Sequence, residues 1–248
     1  MKILVCISHV PDTTSKINFT ENDTKFDTNA VQFVINPYDE FGLTRAMWFK
    51  EKQGASVDVI NVGGAETEPT LRKALAIGAD NAIRINTEAK DGFQVAKELA
   101  KVAKEGNYDL VIAGRESIDY NGGMVPGMLA QLIGANFVNA CTGLEIEDNK
   151  ATIIREIDGG KETLSSSLPL VIGGQKGLVE ESDLRIPNMR GIMMARKKPL
   201  NVVEPINATP QTEAAKFEKP APKGEVKLID PENLDELINL LHNEAKVI

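Results

Sequence analysis

Between Tyr108 and Gly134 the chain reads YDLVIAGRESIDYNGGMVPGMLAQLIG, and its residue types and spacing suit one kind of chemistry, the holding of an anion. Asp109 to Ala113 is a short, nearly all-apolar run, the pattern of a strand buried on both faces. Gly114 ends it, a loop of charged and small residues follows, and Met124 to Ile133 has the composition of a helix. Strand, glycine-bearing loop and helix N-terminus bring loop N–H groups and the positive end of a helix dipole to one point. Gly122-Gly123 lets the backbone approach a phosphate closely or take a positive φ, which a Cβ would hinder. The plain alternative is a turn of the kind any parallel α/β domain needs at the ends of its strands, and this stretch by itself leaves both readings open.

Other chemistry has less to stand on. His9 lies at the end of the first strand and His242 in the last helix, and neither belongs to an HExxH or similar metal spacing. His242 reads as a solvated helix residue and His9 as structural. Cys6 and Cys141 stand far apart with no CxxC, which argues against a disulfide scaffold and a cysteine-based zinc or iron–sulfur site. There is no GxSxG elbow and no GxxxxGK[ST] loop, so acyl transfer and P-loop phosphoryl transfer lack their carriers. The residues that converge are those expected at strand ends: Cys6 to Thr13, Asn36 to Asp39, Gly63-Gly64 and Gly114 to Val125. In a doubly wound sheet such loops line one edge, where ligands bind. The chain reads as a holder of a nucleotide without an evident catalyst beside it.

The elements that must position these loops alternate. Lys2 to Val10 is the first strand; residues 18–30 are polar, a loop or small hairpin. Asn36-Pro37 opens a helix as N-cap and first helical residue. Val57 to Val62 is the next strand, with Gly63-Gly64 as its turn, and the helix from about Thr67 places Leu71, Ala74, Leu75 and Gly78 at i, i+3, i+4 and i+7. Ala82 to Ile85 and Gly92 to Glu105 repeat the alternation, which predicts a parallel sheet with helices on both faces. Residues 143–168 break the pattern with β-prone runs separated by Asp148-Asn149 and Asp158-Gly159-Gly160, an antiparallel excursion, and Pro169 to Gly173 returns to a buried strand. Residues 183–199 read as irregular, with Ile186, Met189, Ile192, Met193 and Met194 among basic residues. The segment 204–224 has linker composition, and Asp230-Pro231-Glu232 caps a last helix with Leu234, Leu237, Ile238 and Leu241 on one side. Such a helix must fold back or dock on another chain to cover that side. The expected division is a nucleotide-binding α/β domain over 1–203 and a linker with C-terminal arm over 204–248.

A chain of 248 residues with 42% hydrophobic content can build one large domain with an appendage. A net charge of −8 argues against a general nucleic-acid or anionic-membrane binder, and no apolar run reaches the length of a membrane span. Met1-Lys2 leads straight into a strand with no signal-peptide pattern, so the expected compartment is the cytoplasm, or an organelle matrix if a targeting peptide was removed.

VPDTTSKI, VINPYDEFGL, ALAIGAD, AGRESID, REIDGGKETLSSSLPLVI and LRIPNMRGIMMARKKPL occur in the order and spacing of the electron-transfer flavoprotein beta subunit, and the chain resembles that family over essentially its whole length. It departs at Gly173, where the family usually carries Ala, Ser, Thr or Cys. The resemblance implies a doubly wound α/β domain of the adenine-nucleotide alpha-hydrolase type with an extended C-terminal arm. It implies an αβ heterodimer that carries electrons from flavin dehydrogenases, such as acyl-CoA dehydrogenases, to a quinone oxidoreductase. The redox FAD would be shared with, and mainly held by, the alpha subunit, while this subunit binds AMP or, in electron-bifurcating members, a second FAD.

Carried over by position, the resemblance implies adenosine contacts at Cys6, at Asn36, Pro37, Tyr38 and Asp39, and at Gly63 and Gly64. The phosphate would lie on Gly114, Arg115, Ser117, Asp119, Asn121, Gly122, Gly123, Met124 and Val125. Thr13 stands where family members often have an aromatic residue near the flavin. Glu156 falls where a carboxylate pairs with the alpha subunit; Ile186, with Pro187 and Met189, falls on an exposed anchor loop for partner dehydrogenases. The anchor loop has a rival reading, in which those apolar residues fold back on the core. Two other classes stay beside the carrier: a stand-alone nucleotide-binding module resembling universal stress proteins, and a nucleotide-hydrolase-type enzyme, for which no nucleophile or PP-loop-like motif is present. NPYDE resembles the bifurcating group, whereas Tyr120-Asn121-Gly122-Gly123 replaces the small acidic and hydroxyl residues of that group's phosphate loop, which favours AMP.

Overall fold

A computed structural model describes all 248 residues. In chain order the elements are β1 (Lys2–Cys6), β2 (His9–Pro11), β3 (Phe19–Thr20), β4 (Lys25–Phe26), β5 (Phe33–Ile35), α1 (Pro37–Gln53), β6 (Ser56–Val62), α2 (Glu68–Ile77), β7 (Asn81–Ile85), α3 (Gly92–Gly106) and β8 (Leu110–Gly114). There follow α4 (Val125–Ile133), β9 (Asn136–Glu147), β10 (Lys150–Ile157), β11 (Gly160–Ser167), β12 (Leu170–Gly174), α5 (Met189–Ala195), β13 (Leu200–Val203) and α6 (Leu234–Asn239). Nine strands form one sheet in the order β11-β10-β9-β12-β8-β1-β6-β7-β13. It is parallel except where β10 pairs antiparallel with β9 and with β11, the excursion expected from the turn signals.

Each helix begins and ends for a local reason. Pro37 fills the first position of α1, where its missing N–H costs nothing, and Gly54 ends the helix at φ 66°. Asp91 caps α3 by accepting from Gln94 N, and Asn107 closes it in the left-handed region. Helices cover both faces. Leu43, Met47, Leu71 and Leu75 from α1 and α2 pack on Ile3, Val5 and Ile112; Leu99, Ala103 and Leu129 from α3 and α4 pack on Leu4, Ile60 and Val111. Neighbours in β1 thus alternate between two cores, which is why the central strands read as continuous apolar runs.

Some expectations need correction. The run Lys2 to Val10 is two strands, because β2 leaves the main sheet at His9 and pairs antiparallel with β5. β9 begins at Asn136, ahead of the expected excursion. Its first half runs parallel to β12, and after Ala140, at φ 53°, its second half runs antiparallel to β10. Residues 189–195 are helical, since Asn188 caps α5 through Gly191 N and Gly191 packs so tightly on Ala76 O of α2 that a Cβ has no room. β13 lies outside the expected elements; it is a four-residue edge strand on β7. The last helix is capped by Asn233 in place of Asp230.

Beyond β13 the chain follows its own surface before departing. Buried Glu98 accepts hydrogen bonds from Ile206 N and Ala208 N, and Asp91 accepts from Thr212 N at 2.8 Å. Phe217 N donates to Asp23 O, its ring stacks on Phe19 at 5.1 Å, and it lies 6.4 Å from the Tyr120 ring. Past Lys219 these ties end, and α6, continued by one π-helical turn, leaves Leu234 and Ile238 exposed. No helix is long and apolar enough to cross a membrane.

Candidate functional site

The order in which strands are added to the sheet reverses at β1. From β1 the chain winds outward through β6 and β7, and β8 lies on the other side. The crevice between the C-terminal ends of β1 and β8 is therefore a topological switch point, the place where open α/β sheets bind ligands. Asp39, in the first turn of α1, spans it. Its Oδ2 accepts from Ser8 N and its Oδ1 from Gly114 N, each at 2.7 Å. Burial pushes this carboxyl up to about 7, against the two backbone hydrogen bonds that favour its charged form.

Asn36 does a parallel job one turn earlier. It occupies the N-cap position of α1, yet its side chain makes no cap. Instead Nδ2 donates to Glu116 O at 2.9 Å and Oδ1 accepts from Ile118 N at 3.3 Å, while its own N–H donates to Ser8 O. The site loop is thus fastened to the start of α1 by a fully buried carboxamide. Gly114 must be glycine here: a Cβ would sit 2.5 Å from Asp39 Oδ1 and 2.7 Å from Tyr38 Cβ.

The loop itself closes on a small bridge between Ser117 and Gly122, with Ser117 N donating to Gly122 O. Asp119 accepts from Ser117 Oγ and from Tyr120 N, so its carboxylate shapes the turn. The positive φ expected of the glycine pair falls on Asn121, at 51°, and on neither Gly122 nor Gly123. A Cβ on Gly122 would meet nothing, whereas one on Gly123 would lie 3.2 Å from Arg115 O. Gly122 therefore borders open space and Gly123 serves packing. Met124 occupies the N-cap of α4 without a side-chain cap, and Val125 begins the helix, so its first amides have no side-chain partner. Arg115 is the sole cation between Gly114 and Val125, and its guanidinium lies 6.0 Å from the Tyr38 ring. Partial burial, and after it Glu116 beside both, raise the Tyr38 hydroxyl pKa.

The remaining candidates are placed less centrally. Pro37 starts α1 next to this cluster. Cys6 ends β1 with its thiol buried and its pKa raised by that burial. Gly63 N donates to Ile85 O inside the sheet, and Gly64 N donates to Glu66 Oε1 at 3.0 Å, a carboxylate already seated on that turn. Thr13 is exposed in the turn after β2, outside the hydrogen-bonded cluster. His9 is stacked on Phe33 at 4.3 Å and bonded to Thr70 Oγ1. Ile186 is 83% exposed and Met189 76%, with Pro187 half-buried between them, so these side chains do not fold back on the core.

Two residues that sequence reasoning passed over join the cluster. Gln175, just after β12, contacts Arg115 through Oε1 and Glu156 through Nε2. Asn139 places its carboxamide oxygen where a Cβ of residue 173 would stand, which accounts for glycine at that position. Neither lies in a motif, and both are brought in by strand pairing distant in sequence. The assembled edge offers backbone amides, one guanidinium and open space beside Gly122, a donor set for an anionic ligand.

A family model described as the electron transfer flavoprotein domain matches residues 23–208. Over the full length of both chains the sequence is 34% identical to the electron transfer flavoprotein subunit beta of Bacillus subtilis and 33% to that of Bradyrhizobium diazoefficiens. It is 33% identical, again over both full lengths, to the protein named electron transfer flavoprotein subunit beta, mitochondrial, of Oryza sativa subsp. indica. The chain belongs to the electron transfer flavoprotein beta-subunit family.

Proposed function

From membership of this family, we propose that the chain is the beta half of an electron-carrying heterodimer with an alpha subunit. In this reading the heterodimer accepts electrons from flavin dehydrogenases, acyl-CoA dehydrogenases among them, and passes them towards a quinone oxidoreductase. The flavin, held mainly by the alpha subunit, supplies the redox chemistry. This chain's residues bind a structural AMP, orient the partner subunit and present a docking segment. Residues 1–203 act as the nucleotide-binding domain, of the adenine-nucleotide alpha-hydrolase type, and 204–248 as the arm. The cytoplasm of a bacterium is the compartment this reading favours.

The observation that carries the AMP assignment is the lock of Asn36, Asp39 and Gly114 across the β1/β8 switch point. It holds in one shape a strand-end loop that carries a single cation, Arg115, that leaves open space at Gly122, and that runs directly into the N-terminus of α4. That donor set fits a phosphate. Asp39 and Asn36 have spent their side-chain polar atoms on backbone, so they shape the site and the loop amides meet the ligand. Ile186, Pro187 and Met189 form the docking segment, and Glu156 pairs with the alpha subunit.

Co-expression with an alpha subunit, followed by acid extraction and chromatography of the purified complex, tests this. One FAD and one AMP per heterodimer is the expected result. Two FAD and no AMP would assign the loop to a second flavin, as in electron-bifurcating systems; a colourless homodimer holding ATP would replace the carrier by a stand-alone nucleotide module.

A further inference from the structure

Gln175 is 5% exposed, its backbone N–H donates to Cys141 O at 3.0 Å, and its side chain lies between two groups of opposite chemistry. Oε1 accepts from Arg115 Nη1 at 2.9 Å, and Nε2 donates to Glu156 Oε2. A guanidinium only donates and a carboxylate only accepts. A primary carboxamide serves both from one rigid plane, and the two neighbours dictate which way it faces. A carboxylate in its place would satisfy Arg115 and repel Glu156; an aliphatic side chain would satisfy neither.

The three residues belong to three separate pieces of the fold. Arg115 starts the loop after β8, Gln175 follows β12, and Glu156 lies on β10 in the antiparallel excursion. Arg115 N donates to Gly174 O at 2.8 Å, which fixes the backbone under the first two. Arg115 Nη2 also pairs with Glu116 at 3.3 Å, so the guanidinium is held from two sides at the mouth of the loop. We propose that Gln175 is a positioning residue that couples the anion-binding loop to the carboxylate of Glu156 on the excursion. With Glu156 in place, Nε2 is committed and Oε1 must face Arg115. Without it the carboxamide is free to turn, and its NH2 end then drives the guanidinium away from the loop. Coupling of this kind is reciprocal: a cation that draws Glu156 away from Gln175 weakens the hold on an anion at the loop, and the anion resists that withdrawal to the same extent.

The inference rests on the reading of the Gly114–Val125 loop as a phosphate site, and the test separates the two. AMP is titrated calorimetrically into nucleotide-stripped heterodimer carrying Glu156→Ala, Gln175→Leu, or both. Glu156→Ala weakens AMP by roughly three- to tenfold when Gln175 is present and by nothing further in the Gln175→Leu background, the non-additivity expected of residues in one hydrogen-bonded unit. Gln175→Glu provides a second background of nearly the same shape. There the sign reverses, because removing Glu156 relieves a like-charge contact and AMP affinity rises. Equal losses from Glu156→Ala in all three backgrounds overturn the coupling while leaving the phosphate site intact. Wild-type heterodimer that takes up no AMP overturns the phosphate reading and the coupling with it.

Discussion

Asp39 is held where two strand ends meet, in surroundings whose burial favours its protonated form over the charged form that its backbone hydrogen bonds favour. Its pKa rises from the ordinary carboxylate range to about 7 in the fold, so between about pH 4 and pH 7 the folded chain binds a proton that the unfolded chain has released. Stability from this group is greatest on the acid side and declines as pH rises through about 7. Asp39→Asn keeps the shape but sets an NH2 against one of two backbone donors, a loss of about 1–3 kcal/mol. The advantage of wild type over this variant, measured by urea unfolding, should therefore shrink between about pH 5 and about pH 8. An advantage that stays level across this window would mean that Asp39 is charged in the fold throughout it. At Gly122 the free chain has room for a side chain, so Gly122→Val should leave the melting temperature alone and lower bound AMP several-fold. Unchanged AMP content would remove the ligand from that space. Residue types at the strand ends were readable because glycine and N-cap preferences are local. What Asn36 and Asp39 bond to was not, since their partners lie at Ser8, Gly114, Glu116 and Ile118, two of them about eighty positions away in the chain.

At the scale of elements, the segment around α5 shows where periodicity misleads. A seven-residue helix spans two turns, too few for an apolar stripe to show, and its residues lack one because Met189 and Met193 face away from the protein. The local signal lay in Asn188, a capping residue, and in Gly191, small enough to meet the α2 backbone. β13 escaped for a similar reason: four residues on an edge gain their order from β7 and little from their own pattern. With Ile186 83% exposed just before α5, its truncation removes no core contact. On the proposed docking role, Ile186→Ala should raise the KM of a partner dehydrogenase for the heterodimer by roughly tenfold, the loss expected for an apolar anchor worth about 1.4 kcal/mol. Flavin content and melting temperature should stay at wild-type values. A lowered melting temperature with unaltered kinetics would make the residue structural.

For the whole molecule, the division of the last 45 residues decides how the chain meets a partner. Composition marked everything from residue 204 as linker and arm, because Pro, Lys and Glu carry no periodicity. The structure separates an inner part, fastened to Glu98, Asp91, Asp23 and Phe19, from an outer part carrying α6. The fastenings of the inner part are mostly backbone amides on acidic side chains, which any arm sequence could supply and which composition therefore hides. The outer part leaves Leu234, Leu237 and Ile238 exposed and Leu241 half-buried. Each such side chain gains roughly 1.5–3 kcal/mol on full burial, against an ordering cost of about 1–2 kcal/mol per residue fixed. A net gain of even a few kcal/mol on docking amounts to a hundredfold or so in affinity. Truncation after Ala221 removes α6 and spares Phe217, so the α/β domain should keep its melting temperature while the dissociation constant for the alpha subunit rises at least tenfold. Truncation after Pro205 also removes Phe217 and the amides bound to Glu98, so the α/β domain loses the ties that fasten the inner arm and its melting temperature should fall as well. The two cuts thus separate docking from self-anchoring. An unaltered dissociation constant after the first would mean that the outer helix folds back on this chain, and the arm would then belong to the beta subunit alone.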